Sequence, residues 1–148
     1  MKIAIGSDHR GLDLKAGLIE PLTNQGHRVE DIGAFDSTSV DYPDIAAVVG
    51  RLCQSGDIDR GILICGTGIG MSIAANRFSG VRAAVCHDRR SAELSRLHND
   101  ANVLCLSADL VSSSDNEAIA ALWFDTGFDA GRHQRRIEKI EHASQPMP

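Results

Sequence analysis

The feature that most constrains this chain is the apolar run at residues 61–65 (GILIC), which passes straight into Gly66-Thr67-Gly68-Ile69-Gly70 and then into a helical pattern over 69–77. An unbroken apolar run of this length marks a strand covered on both faces rather than one with a wet side. The same order recurs along the chain. Strand patterns fall at 2–6, 27–33, 82–86 and 102–106, and helical patterns at 11–24, 43–53, 89–98, 115–125 and 132–142. Pro43 suits a first helical turn, whereas Pro21 should kink or end the helix it lies in, because it lacks the amide donor. Leu12, Ala16, Ile19 and Leu22 or Thr23 supply the predicted inward face of that helix.

About five strands alternating with helices predict an α/β fold. Right-handed crossovers then produce a three-layer, doubly wound parallel sheet, Rossmann-like, with ligands at the carboxyl ends of the strands. The expectation is a single domain over residues 1–143 that includes a C-terminal helix, followed by a flexible tail at 144–148. In that last helix, Arg132 and Arg136 lie one turn apart, with Ile137 and Ile140 on an adjacent apolar face.

With 148 residues, 43% of them hydrophobic, the chain can bury one proper core. Its net charge of -5 leaves no cationic excess to neutralise a nucleic-acid backbone. No apolar stretch approaches the roughly 20 residues that span a bilayer, so a cytoplasmic protein without a membrane partner is expected. Cys53, Cys65, Cys86 and Cys105 contain no CxxC pair, which suggests neither a disulfide framework nor a zinc site.

Glycines in the 66–70 turn allow close backbone approach, and free amides together with a following helix favour an anion there. The bland alternative is a tight turn with nothing bound. A dinucleotide fingerprint is a poor match, since Met71 stands where its third glycine belongs, although Asp88 has the position of a ribose-binding acid. A thiol at this strand end, Cys65, is either core packing or, set where oriented amides stabilise a thiolate, a base able to remove a carbon-bound proton. Ser7-Asp8-His9 ends the first strand at the same sheet edge, with Asp8 as either a helix cap or a site residue. His98-Asn99-Asp100 is either a turn or a proton donor with a hydrogen-bonding neighbour. Arg132-His133-Gln134-Arg135-Arg136 is the one basic cluster, able to hold phosphate or simply to be a solvated helix face.

Taken together, GSDHRG (6–11), DYPD (41–44), GILICGTGIGMSIAANR (61–77), SRLHNDANVL (95–104) and GRHQRRI (131–137) resemble the ribose-5-phosphate isomerase B and galactose-6-phosphate isomerase family. The resemblance implies an aldose–ketose isomerase for a sugar or sugar phosphate. It also implies a homodimer, sometimes a tetramer, with active sites shared across the interface, and no metal or organic cofactor. Carried over residue by residue, Cys65 would be the base, Thr67 would assist proton movement between substrate oxygens, and the amides of Gly66 to Gly70, including Gly68, would hold the enediolate. His98, helped by Asp8, would open the furanose ring. His9, Tyr42, Asn99, Arg132 and Arg136 would bind the substrate and its phosphate.

One departure stands out. Many members place an Arg shortly after the HND-strand segment, and Asp109 occupies the apparent position here. The alternatives are compensation by Arg89 or Arg90, a differently placed phosphate, a shorter substrate, or an unphosphorylated aldose. A non-catalytic sugar-phosphate sensor would use the arginines and the glycine loop but would need neither Cys65 nor His98.

Overall fold

The computed structural model describes residues 1–141. Its elements alternate as expected: β1 (Lys2–Ser7), α1 (Leu12–Asn24), β2 (Arg28–Gly33), α2 (Tyr42–Ser55), β3 (Arg60–Cys65), α3 (Ile69–Ala75), β4 (Ala83–Val85), α4 (Arg89–Asn99), β5 (Val103–Ser107), α5 (Ser113–Asp125) and α6 (Arg132–Glu141). The expected tail at 144–148 lies outside the described residues.

All pairings are parallel, in the order β2-β1-β3-β5-β4. The chain starts near the middle, moves outward to β2, crosses back to β3, reaches the far edge at β4, and returns to insert β5 beside β3. Right-handed crossovers in opposite directions deposit helices on opposite faces. Accordingly, Leu14, Leu18 and Leu22 of α1, Ala92 of α4, and Ile119 and Trp123 of α5 pack in one core. Ala46 and Val49 of α2 and Met71 and Ala75 of α3 pack in the other.

Alternation along β3 divides its side chains between these layers, as a two-residue period requires. Ile62 and Ile64 enter the first core, and Leu63 and Cys65 the second. Trp123 is fully buried, with its indole N–H donated to Ser95 Oγ at 3.1 Å and its ring edge-on to Phe124. The polar end of the indole is therefore satisfied where its apolar bulk is most useful.

Helix α1 corrects two expectations. Its buried residues are Leu14, Lys15, Leu18 and Leu22, so the inward face is rotated from the Leu12–Ala16–Ile19 phase. Lys15 is buried because its ammonium bonds Asp31 Oδ1 and the Ala34 carbonyl, which compensates the cost of burying a charge. The helix also runs past Pro21 to Asn24. Pro21 and Gly17, whose carbonyl loses its partner, both lie on the exposed side, where water replaces the bond. In α6, Ile137 is buried as expected, but Ile140 is exposed and His133 takes the second inward position.

Helix α2 approaches β3 closely at Gly61, where a Cβ would stand 2.7 Å from Val49 Cγ1 and 3.2 Å from Val103 Cγ2. Both valines are fully buried and have nowhere to retreat. Gly61→Ala is expected to destabilise the fold by about 1–3 kcal/mol through overpacking, read as a lower urea midpoint with an unchanged m-value.

Candidate active site

The carboxyl ends of β1, β3 and β5 lie side by side, with Ser7 paired to Ile64 and Cys65 paired to Ser107. The direction of the chain connections reverses between β1 and β3, since β1 connects toward one edge of the sheet and β3 toward the other, which opens a crevice at this edge.

The loop after β3 is held by its carbonyls. The Cys65 carbonyl accepts from Ala108 N at 2.9 Å, and the Gly66 carbonyl accepts from Ser107 Oγ at 2.6 Å and Asp109 N at 3.0 Å. The Thr67 carbonyl meets His87 Nε2 at 2.8 Å, so that ring nitrogen is the donor. The Gly68 carbonyl receives Ser72 N. With the carbonyls engaged on the sheet and helix side, the amides of Gly70 and Met71 are left as donors of the first turn of α3 without an intrahelical partner. Gly68 adopts φ 77°, a left-handed conformation that makes the sharp entry into α3 and favours glycine.

Cys65 is 5% exposed, and its Sγ accepts from Gly68 N at 3.2 Å. The sulfur therefore lies within the cradle of the loop it precedes. Thr67 Oγ1 accepts from Ile69 N at 3.3 Å. Burial pushes the thiols of Cys53, Cys86 and Cys105 above the ordinary range, which marks them as neutral core groups. Met71 is fully buried, and Asp88 caps α4 by accepting from Ser91 N at 2.7 Å. These contacts give both residues local packing roles in place of the dinucleotide reading.

Three side chains flank the loop where glycines leave room. A Cβ on Gly70 would lie 2.6 Å from the Tyr42 ring, so Tyr42 packs directly against the loop. On the other side, a Cβ on Gly66 would lie 2.6 Å from Asp109 Oδ2 and 3.1 Å from Arg10 Nε. Asp109 is ion-paired to Arg10, with Nη2 to Oδ2 at 2.7 Å and Nε to Oδ2 at 2.9 Å. The cation facing Asp109 is thus Arg10, which sequence reasoning passed over. Arg90 instead bonds Glu93 at 2.6 Å.

Asp8 joins this edge through its amide, which donates to the Ile64 carbonyl at 3.0 Å. Its carboxylate caps a short 3-10 turn, accepting from Arg10 N at 2.9 Å and Gly11 N at 3.3 Å. His9 Nδ1 accepts from Val40 N at 3.4 Å and so ties the segment ahead of Tyr42 to the end of β1.

The remaining expected residues lie elsewhere. Helix α4 runs back across the sheet, so His98 and Asn99 at its end are at the amino edge, next to the starts of β4 and β5. Arg82, just before β4, donates to the Asn99 carbonyl at 3.0 Å. Helix α6 joins this group, with the His133 and His98 rings stacked at 4.2 Å between centroids. Arg132 and Arg136 are exposed, and among the described residues neither pairs with a carboxylate. Within one chain, then, Asp8, His9, Tyr42 and Cys65 to Gly70 gather at one edge, and His98, Asn99, Arg132 and Arg136 at the other. His98 and Asp8 do not meet.

The stack of His98 on His133 has a pH consequence. Burial, then the neighbouring His98, Arg132 and Arg136, hold the His133 imidazole below its ordinary range, with Asp129 opposing. The unfolded chain therefore takes up the proton first. The stabilisation from neutral His133 is present above about pH 6.5 and is lost as pH falls through the lower folded value. Protection factors of the α6 amides, corrected for the intrinsic slowing of exchange at lower pH, are expected to fall between about pH 7.5 and 5 more in the wild type than in His133→Phe.

Comparison with known proteins identifies the family and the fold. The Ribose/Galactose Isomerase family model matches residues 3–140. Ribose-5-phosphate isomerase B of Escherichia coli is 45% identical over 139 residues, covering 94% of this chain and 93% of that protein. The solved ribose-5-phosphate isomerase B of Clostridium thermocellum superposes with a TM-score of 0.95 at 46% identity, covering 98% of each chain. That of Mycoplasma genitalium, with bound ribulose-5-phosphate, has a TM-score of 0.92 at 42% identity, covering 99% of this chain and 97% of the other.

Proposed function

We propose that this chain, which belongs to the ribose/galactose isomerase family, interconverts ribose 5-phosphate and ribulose 5-phosphate with Cys65 as the base. The observation that carries the reading is Cys65 Sγ set under a loop whose carbonyls are tied away and whose Gly68 amide donates to the sulfur at 3.2 Å.

The chemistry follows from that geometry. The Cys65 thiolate takes the proton from C2 of the open-chain aldose, the C–H electron pair becomes the C1–C2 double bond, and the carbonyl pair moves onto O1. Charge that appears on O1 only during the reaction is what preorganised amides stabilise most, because they bind the neutral aldehyde less strongly. Thr67 assists transfer of the O2 proton to O1. The Cys65 thiol then returns its proton to C1, leaving a ketone at C2. Tyr42 against Gly70 and His9 beside Val40 restrict the sugar at the crevice.

Ring opening requires a proton on the furanose oxygen, and an imidazole is suited to supply it near neutral pH. His98 stands at the wrong edge of its own chain for this. The complete site is therefore a homodimer's, in which His98, Asn99, Arg132 and Arg136 of the partner subunit face Cys65 and bind ring and phosphate. The separation of the two residue groups supports this pairing, and the exposed arginines suit a phosphate once such a face is covered.

The first test is ribose 5-phosphate in deuterated water, followed by proton NMR. Deuterium at the exchanged carbon of product is expected with the wild type, and Cys65→Ala should lower kcat by about 100-fold to 10,000-fold. Normal turnover by Cys65→Ala would remove the base assignment. For the shared site, Cys65→Ala and His98→Asn are each expected to be nearly inactive alone. Mixed with subunit exchange they should recover about one quarter of wild-type activity, because half the dimers are hybrids and each hybrid has one intact site of two. A mixture as inactive as its components would place the whole site within one subunit.

A further inference from the structure

The ion pair on Gly66 is an odd neighbour for an anion-handling loop. Asp109 is a carboxylate whose oxygen approaches to 2.6 Å the point where a Cβ of Gly66 would stand, one residue from Cys65. An unpaired carboxylate there would disfavour any anionic substrate. Arg10, also against Gly66 and 99 residues away in sequence, engages it through Nε and Nη2. The side chains are 54% and 36% exposed, a setting in which an ion pair adds little to stability. Among the described residues, the third guanidinium nitrogen, Nη1, has no acceptor. Both partners stand beside the crevice and outside the proton-transfer machinery.

We propose that Arg10 is a specificity residue of this site: by pairing with Asp109 over Gly66 it cancels a carboxylate that would repel a phosphorylated substrate. The inference rests on the sugar-phosphate reading above and adds a prediction about sign. Asp109 is unfavourable to the anion, and Arg10 is needed because Asp109 is present. Removing Arg10 alone therefore does more harm than removing both charges. A pair that merely staples the loop would affect neutral and charged ligands alike.

The test is a double-mutant cycle read in two ways: KM and kcat for ribose 5-phosphate against unphosphorylated ribose, and calorimetric binding of inorganic phosphate. Arg10→Ala is expected to raise KM for the phosphorylated sugar, and to weaken phosphate binding, by about tenfold, the effect of one exposed like charge at short range. Its kcat and its behaviour toward ribose should change little. Asp109→Asn should bind phosphate at least as tightly as the wild type. Arg10→Ala/Asp109→Asn should recover most of the lost affinity, and Arg10→Lys, which keeps the charge and loses the fork, should stay near the wild type.

Equal losses on ribose and ribose 5-phosphate, a double variant as weak as Arg10→Ala, a loss in Asp109→Asn, or no phosphate binding by any form would each overturn the proposal. Thermal melts of every variant identify a folding defect, and the pattern among the remaining folded variants still decides. If the wild type does not isomerise ribose 5-phosphate while phosphate affinity follows the expected order, the substrate reading falls and the role of Arg10 stands.

Discussion

The site depends on where the loop after β3 sends its carbonyls. Ser107, Ala108 and Asp109 at the end of β5, with His87 after β4, take the carbonyls of Cys65, Gly66 and Thr67. A peptide group has two polar ends, and engaging one fixes the direction of the other. The amides of Gly66, Thr67 and Gly68 are thereby oriented before any ligand arrives, which is the condition under which amides stabilise developing charge without a reorganisation cost. β5 can perform this service only because it returns from the far edge to lie next to β3. The unusual strand order and the chemistry of the loop are thus one fact seen at two scales.

Much of this was readable from residue patterns because the governing physics is local. The continuous apolar run before Cys65, the glycines after it, and the alternation of strand and helix each report on backbone geometry within a few residues. The doubly wound fold, the sheet edge that carries Cys65, and the neighbourhood of Asp8 follow from those local signals and from crossover handedness. The family to which the chain belongs was legible in segments spread from Gly6 to Ile137.

What escaped depended on contacts between distant side chains. Lys15 was invisible as an inward residue of α1 because apolar periodicity counts a lysine as exposed, whereas here Asp31 and the Ala34 carbonyl satisfy it. Nothing local in GSDHRG distinguishes Arg10, whose partner Asp109 lies 99 residues away in sequence. The stacking of His133 on His98 requires α6 to dock on α4, and the sequence between them fixes no such geometry. Asp8 fulfilled the helix-cap reading that competed with its site reading, and its place beside Cys65 leaves the two roles compatible.

The two rims of the sheet carry a further consequence. β2 presents Arg28, Glu30 and Asp31 along one margin, and β4 at the other is only three residues long. A charged margin and a stub both make poor templates for the strand of a passing chain. The margins of this sheet are therefore poor sites for strand addition in the finished molecule. What such a sheet offers to another chain is side-chain shape, a kind of contact that fixes one register, as runaway strand addition does not.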